Sequence, residues 1–66
     1  FNIMNELDTK MNDMMQTLIT TAVDVEKFHQ GNKSAGTRIR KAMQEIKTMA
    51  QEVRVEVQEM KNAVAA

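Results

Sequence analysis

Apolar residues fall on a seven-residue repeat through both halves of the chain. In the first half Met4, Met11, Leu18 and Val25 form one row, and Leu7, Met14, Thr21 and Phe28 form another three residues later. Two such rows make the seam of an amphipathic helix that packs against a helical neighbour. Thr21 is the one polar member, with Ala22 beside it to share the contact. Thr17 to Val25 is rich in β-branched residues, so this stretch depends on tertiary packing to stay helical. In the second half Ile39, Ile46, Val53 and Met60 form one row and Met43, Ala50, Val57 and Val64 a second, while Ala42 and Met49 widen the stripe. A stripe this broad exceeds what a single antiparallel neighbour covers. The second helix is therefore expected to touch more than one helix.

Between the halves, Gln30 to Gly36 interrupts both patterns. Gly31 suits the left-handed position that closes a helix, Gly36 fits the same turn, and Ser34 or Thr37 can cap the helix that follows. The pattern predicts an all-α fold, a single antiparallel helical hairpin over residues 1–66. Helix one is expected at about 4–29, the turn at about 30–36 and helix two at about 37–64. Two helices share only one seam, which leaves little margin over the entropy of ordering the chain. A homodimer forming a four-helix bundle is the expected remedy, with Ile39, Met43, Ile46, Met49, Val53, Val57 and Met60 as the oligomer interface. Seven Met residues favour an adaptable core.

Composition narrows the chemistry. Without Cys there is no disulfide and no thiolate metal site, and 66 residues supply one small domain. Apolar runs are a few residues long and the N-terminal residues lack a signal-peptide pattern, so a soluble, cytoplasmic chain with no membrane partner is expected. Phe1 to Ile3 carry no functional weight. His29 is the only histidine and falls at the end of helix one, facing its dipole, with no triad partner in view. Glu52 and Glu56 lie four apart on one helix, whereas a metal needs ligands converging from several elements. No catalytic residue, metal, cofactor or small-molecule substrate is expected, and the chain is read as no enzyme.

Charge changes the picture more. Formal net charge is zero, yet Glu26 to Lys41 holds Lys27, Lys33, Arg38, Arg40 and Lys41 against Glu26 alone, a local +4. The remainder holds four basic and eight acidic residues, a −4. One end of the hairpin is positive and its body negative. Along helix two, Arg40, Lys47, Arg54 and Lys61 run down one flank of the stripe, and Glu45, Glu52 and Glu59 down the other. Below the tip such rows serve solubility and pairing. At the tip, positive charge at the start of helix two opposes the helix dipole, and a bound anion relieves that conflict. Outward backbone N–H groups, small Ala35 and Gly36, and Arg38 and Lys41 on one helix face all suit a phosphate. Lys33, Ser34, Thr37, Arg38, Arg40 and Lys41 form the candidate phosphate-binding set.

The run Glu26-Lys27-Phe28-His29-Gln30-Gly31-Asn32-Lys33-Ser34-Ala35-Gly36-Thr37-Arg38-Ile39-Arg40-Lys41-Ala42 resembles the chlamydial-type histone-like proteins, bacterial nucleoid proteins named for a likeness to linker histones. The similarity covers about residues 26 to 61, including Gln44-Glu45-Ile46-Lys47 and Glu52-Val53-Arg54. The resemblance implies binding and compaction of double-stranded DNA in the nucleoid, with Lys33, Arg38, Arg40 and Lys41 at the matching positions. Longer members carry a Lys- and Ala-rich basic tail, whereas the residues here close on Lys61-Asn62-Ala63-Val64-Ala65-Ala66. Several weak tips joined by oligomerisation are therefore expected to bind, rather than one copy. Phe28 belongs to the seam, so base stacking is not expected. The competing reading is a helical-bundle scaffold that binds no nucleic acid, which the heptads and zero net charge fit equally well.

Overall fold

The computed structural model describes the backbone of residues 3–65 and the side chains of residues 6–63. It is an all-α hairpin of two helices, α1 (Ile3–His29) and α2 (Lys33–Ala65). The rod measures 54 × 18 × 12 Å. The predicted antiparallel hairpin is the observed fold. Met4 and Val64, assigned above to the heptad rows, lie outside the described side chains.

The connection is shorter than the pattern predicts, because α2 starts at Lys33 rather than near residue 37. Only Gln30, Gly31 and Asn32 separate the helices. Gly31, at φ 98°, takes the left-handed conformation that closes α1. Its N–H donates to the Phe28 carbonyl at 3.0 Å, and the Asn32 N–H reaches back to the Lys27 carbonyl at 3.1 Å. This pair of bonds satisfies carbonyls that the last helical turn would otherwise leave bare. Asn32 then caps α2, in place of Ser34 or Thr37. The Ala35 N–H donates to both the Asn32 carbonyl, at 3.2 Å, and its Oδ1, at 3.3 Å. With Asn32 as cap, Ser34 and Gly36 fall inside the helix, and the Ser34 hydroxyl donates to Asn32 Oδ1 at 2.7 Å.

Gly36 is therefore no turn residue. A Cβ there would stand 2.8 Å from Phe28 Cε1, so the missing side chain lets the Phe28 ring lie against α2 just below the tip. Ala35 is wholly buried beside it.

Below the tip, α1 turns Leu7, Lys10, Met14, Thr17, Thr21 and Asp24 toward α2. Facing them are Ala35, Ile39, Ala42, Ile46, Met49, Val53, Glu56 and Met60. Two of the α1 rows thus behave differently. The Leu7, Met14, Thr21 row enters the hairpin contact, whereas Met11, Leu18 and Val25 remain 47, 49 and 38% exposed. The β-branched stretch stays helical. Thr21, 5% exposed, donates its hydroxyl to the Thr17 carbonyl at 2.7 Å, and Thr17 does the same to Asp13 at 3.0 Å. Neither hydroxyl therefore costs an unpaired polar group in the contact.

Candidate nucleic-acid interface

The tip is built where the end of α1 meets the start of α2. Lys27 and His29 occupy the last turn of α1, where positive charge suits the helix dipole. The first turn of α2 has no acidic residue. Lys33, Ser34, Thr37, Arg38, Arg40 and Lys41 all lie at the solvent-exposed surface of this end. The structure thus brings the six sequence-selected residues onto the first three turns of α2.

They do not form one surface. Arg38 turns back across the groove to α1, where its Nε and Nη2 both donate to Asp24 Oδ1 at 2.9 Å. Its Nη1 also reaches the Ser34 hydroxyl at 3.5 Å. Lys41 lines the same groove with Gln16, Thr20, Asp24 and Glu45, so two acids share it. Arg40 stands on the opposite flank of α2, at the head of the Arg40, Lys47, Arg54, Lys61 row. Lys27, from α1, adds a cation that selecting residues on α2 alone overlooked. The expected approach of a phosphate to Ala35 and Gly36 does not hold. Ala35 is buried with its N–H taken by Asn32, and the open side of Gly36 is filled by the Phe28 ring.

Asp24 was also missed by the sequence reading. The available signal was symmetry about the turn. Asp24 with Arg38, Phe28 with Gly36 and Lys10 with Glu56 are each nearly equidistant from Asn32, as an antiparallel hairpin requires.

The last of these pairs lies at the far end of the rod. Lys10 Nζ meets Glu56 Oε1 at 2.7 Å, with the Glu56 side chain 11% exposed. The hydrogen bond that Lys10 donates to Glu56 holds its ammonium above the ordinary lysine value, with desolvation opposing and the charges of Glu56, Glu52 and Glu6 helping. Glu56 Oε2 is buried without a hydrogen-bond partner among the described residues.

The seven residues expected at an oligomer interface divide in two. Ile39, Ile46, Met49, Val53 and Met60 are half-buried against α1, whereas Met43 and Val57 are 42 and 39% exposed. Met11, Leu18 and Val25 stand roughly 75° around α1 from the line that faces α2, and Met43 and Val57 stand the same angle around α2. Because the helices are antiparallel, the same sense of rotation brings both rows to one face of the hairpin. The opposite face is the polar groove of Gln16, Thr20, Asp24, Arg38 and Glu45, continued by Thr48 and Glu52.

Among the described residues, no group of three His, Asp or Glu side chains is placed to hold a metal ion, and no helix is long and apolar enough to cross a membrane. The family model of the histone H1-like protein Hc1 matches residues 6–63, nearly the whole hairpin. The chain belongs to the Hc1 family. No curated protein and no solved structure matches it. The Hc1 match covers the turn and most of both helices, so the basic tip and the heptad rows from Leu7 to Met60 lie within one family unit.

Proposed function

We propose that this Hc1-family chain is a non-enzymatic DNA-binding protein of the cytoplasmic nucleoid. It contacts the phosphate backbone of double-stranded DNA through the tip, without strong sequence specificity, and dimerises through its open apolar face to compact or bridge DNA. The observation that carries this reading is charge segregation on a rod: a +4 segment folded into one end and a −4 body elsewhere. Lys33, Arg40 and Lys41 supply the phosphate contacts, Ser34 and Thr37 add hydroxyl donors, and Arg38 contributes when it leaves Asp24. A single tip is a weak ligand, and its acidic body repels the same polyanion. Two or more tips on one assembly raise affinity through effective concentration.

The heptad rows support the assembly. In each helix the two rows read from sequence straddle the edge between the hairpin contact and the open face. That is the position of a bundle core rather than of a two-helix seam. A second hairpin laid on Met11, Leu18, Val25, Met43 and Val57 completes that core.

The test is a gel shift with random-sequence duplex across a salt series, run beside a mass measurement of the free protein. Binding is expected to weaken with salt by a slope of about −0.9 per phosphate contacted. Arg38→Glu/Arg40→Glu is expected to abolish retention while leaving the mass unchanged. The pairing of Arg38 with Asp24 favours the scaffold reading instead, since it removes one cation from the tip. If the wild type fails to shift duplex at low salt while keeping a dimeric mass, the scaffold reading replaces this one.

A further inference from the structure

We infer that two hairpins join about a two-fold axis running along the rod, so that α2 of each lies on α1 of the other and both basic tips stand at the same end. This rests on the dimerisation proposed above and adds its geometry. The argument is charge complementarity at the edges of the open face. On α2 the outer edge of that face carries Arg40, Lys47, Arg54 and Lys61, all exposed and seven residues apart, about 10 Å per step. On α1 the equivalent edge carries Asp8, Met15, Ala22 and, at the tip, His29, all exposed, with no lysine or arginine among them.

A flat antiparallel hairpin can meet its copy face to face in two ways. With the axis across the rod, α2 stacks on α2 and two rows of four cations run side by side. With the axis along the rod, α2 stacks on α1 of the partner subunit. The cationic row then meets a methionine, an alanine and an aspartate. Neighbouring helices are antiparallel in both arrangements, so the helix dipoles do not choose between them; the cationic rows do. Met15 gives the stem of Lys47, and Ala22 that of Arg40, an apolar surface to cover while their charged heads stay in water. Asp8, near the open end of the rod, meets the row close to Lys61.

The chosen arrangement places two positive tips together. They are solvated ends rather than packed faces, so their repulsion is screened over a Debye length of about 10 Å. A duplex that lies across both tips removes the remaining repulsion. One dimer therefore grips a single duplex with two tips, instead of holding one duplex at each end.

The chain has no Cys, so single introduced thiols report the geometry cleanly. Met15 and Lys47 lie at nearly the same height along the rod, on the outer edges of α1 and α2. Met15→Cys and Lys47→Cys proteins are mixed in equal amounts and oxidised, beside each alone. The mixed disulfide is expected to exceed the one-half of cross-linked product that random pairing gives, and each variant alone is expected to cross-link poorly. Efficient cross-linking of Met15→Cys with itself, near the middle of α1, overturns the inference in favour of the axis across the rod. A dimeric mass with neither product also overturns it. A monomeric mass for the unmodified protein overturns both this geometry and the dimer beneath it.

Discussion

The two long faces of the hairpin are built on opposite principles. The groove face pairs most of its polar groups within the chain: Asp24 holds Arg38, Lys10 holds one oxygen of Glu56 along its edge, and threonine hydroxyls bond back to their own helices. The other face presents Met11, Leu18, Val25, Met43 and Val57, each more than a third exposed, with nothing from the same chain to cover them. A small monomer normally places its apolar rows in its own contact and its charged residues outside. Here Lys10, Asp24 and Glu56 are partly or largely buried between the helices while methionine, leucine and valine face water. Contiguous exposed apolar surface of this kind marks an interaction site. The difference teaches that the hairpin closes its polar edge with its own residues and leaves its apolar one open.

The strongest way to break that comparison is to put charge on the open face. Leu18→Glu is expected to weaken self-association by about 100-fold or more, because each dimer would then bury two unpaired carboxylates. Thr20→Glu, on the groove side, is expected to leave the mass unchanged. Sedimentation across a concentration series reads both, and equal behaviour of the two variants ends the distinction between the faces.

The Lys10–Glu56 pair sharpens the comparison from the polar side. Lys10→Met alone is expected to lower the thermal midpoint, since it strands the largely buried Glu56 carboxylate. Lys10→Met/Glu56→Met is expected to recover it, with apolar packing in place of the ion pair. The folded state holds the Lys10 pKa above the ordinary lysine value, so this stabilisation is complete at neutral pH. It is lost as pH rises through the folded-state value, which lies above that of an ordinary lysine. The gap in melting midpoint between wild type and Lys10→Met should therefore be flat near neutrality and narrow at strongly alkaline pH, as circular dichroism melts would show.

The smallest effect is expected at Asp24→Asn. The pair it breaks is about half exposed on the Arg38 side, so the stability loss should be only about 0.5 kcal/mol. Releasing Arg38 toward phosphate should instead tighten duplex binding and steepen the salt slope by about 0.9. Stability measured by urea titration and affinity measured by gel shift would move in opposite directions. An unchanged salt slope removes Arg38 from the phosphate contacts.

Much of the fold was legible because it depends on periodicity. Two heptad segments around Gly31 leave few options besides an antiparallel hairpin. The turn boundary was not legible, because Ser34, Ala35, Gly36 and Thr37 resemble loop composition while Asn32, two residues earlier, supplies the cap. Gly36 read as a turn glycine for the same reason. Its actual role is to make room for a ring eight residues back, and no local rule announces a contact that crosses the turn. The tip's composition was legible as a cluster of cations. Its division into a groove side, with Arg38 and Lys41, and an outer side, with Arg40, followed only from the rotation of each residue about α2.

The sequence by itself determined that there are two helices, where α1 ends, and which end of the rod is positive. These follow from residue spacing, from one glycine at a left-handed position and from counting charge along the chain. Only the tertiary structure decided which apolar rows the hairpin keeps for itself and which it leaves bare. Heptad spacing identifies a stripe but not the side from which its partner comes. That side was set by the short Gln30-Gly31-Asn32 connection, which rotates α2 until Asp24 meets Arg38 and Lys10 meets Glu56, and leaves Met11, Leu18 and Val25 facing outward.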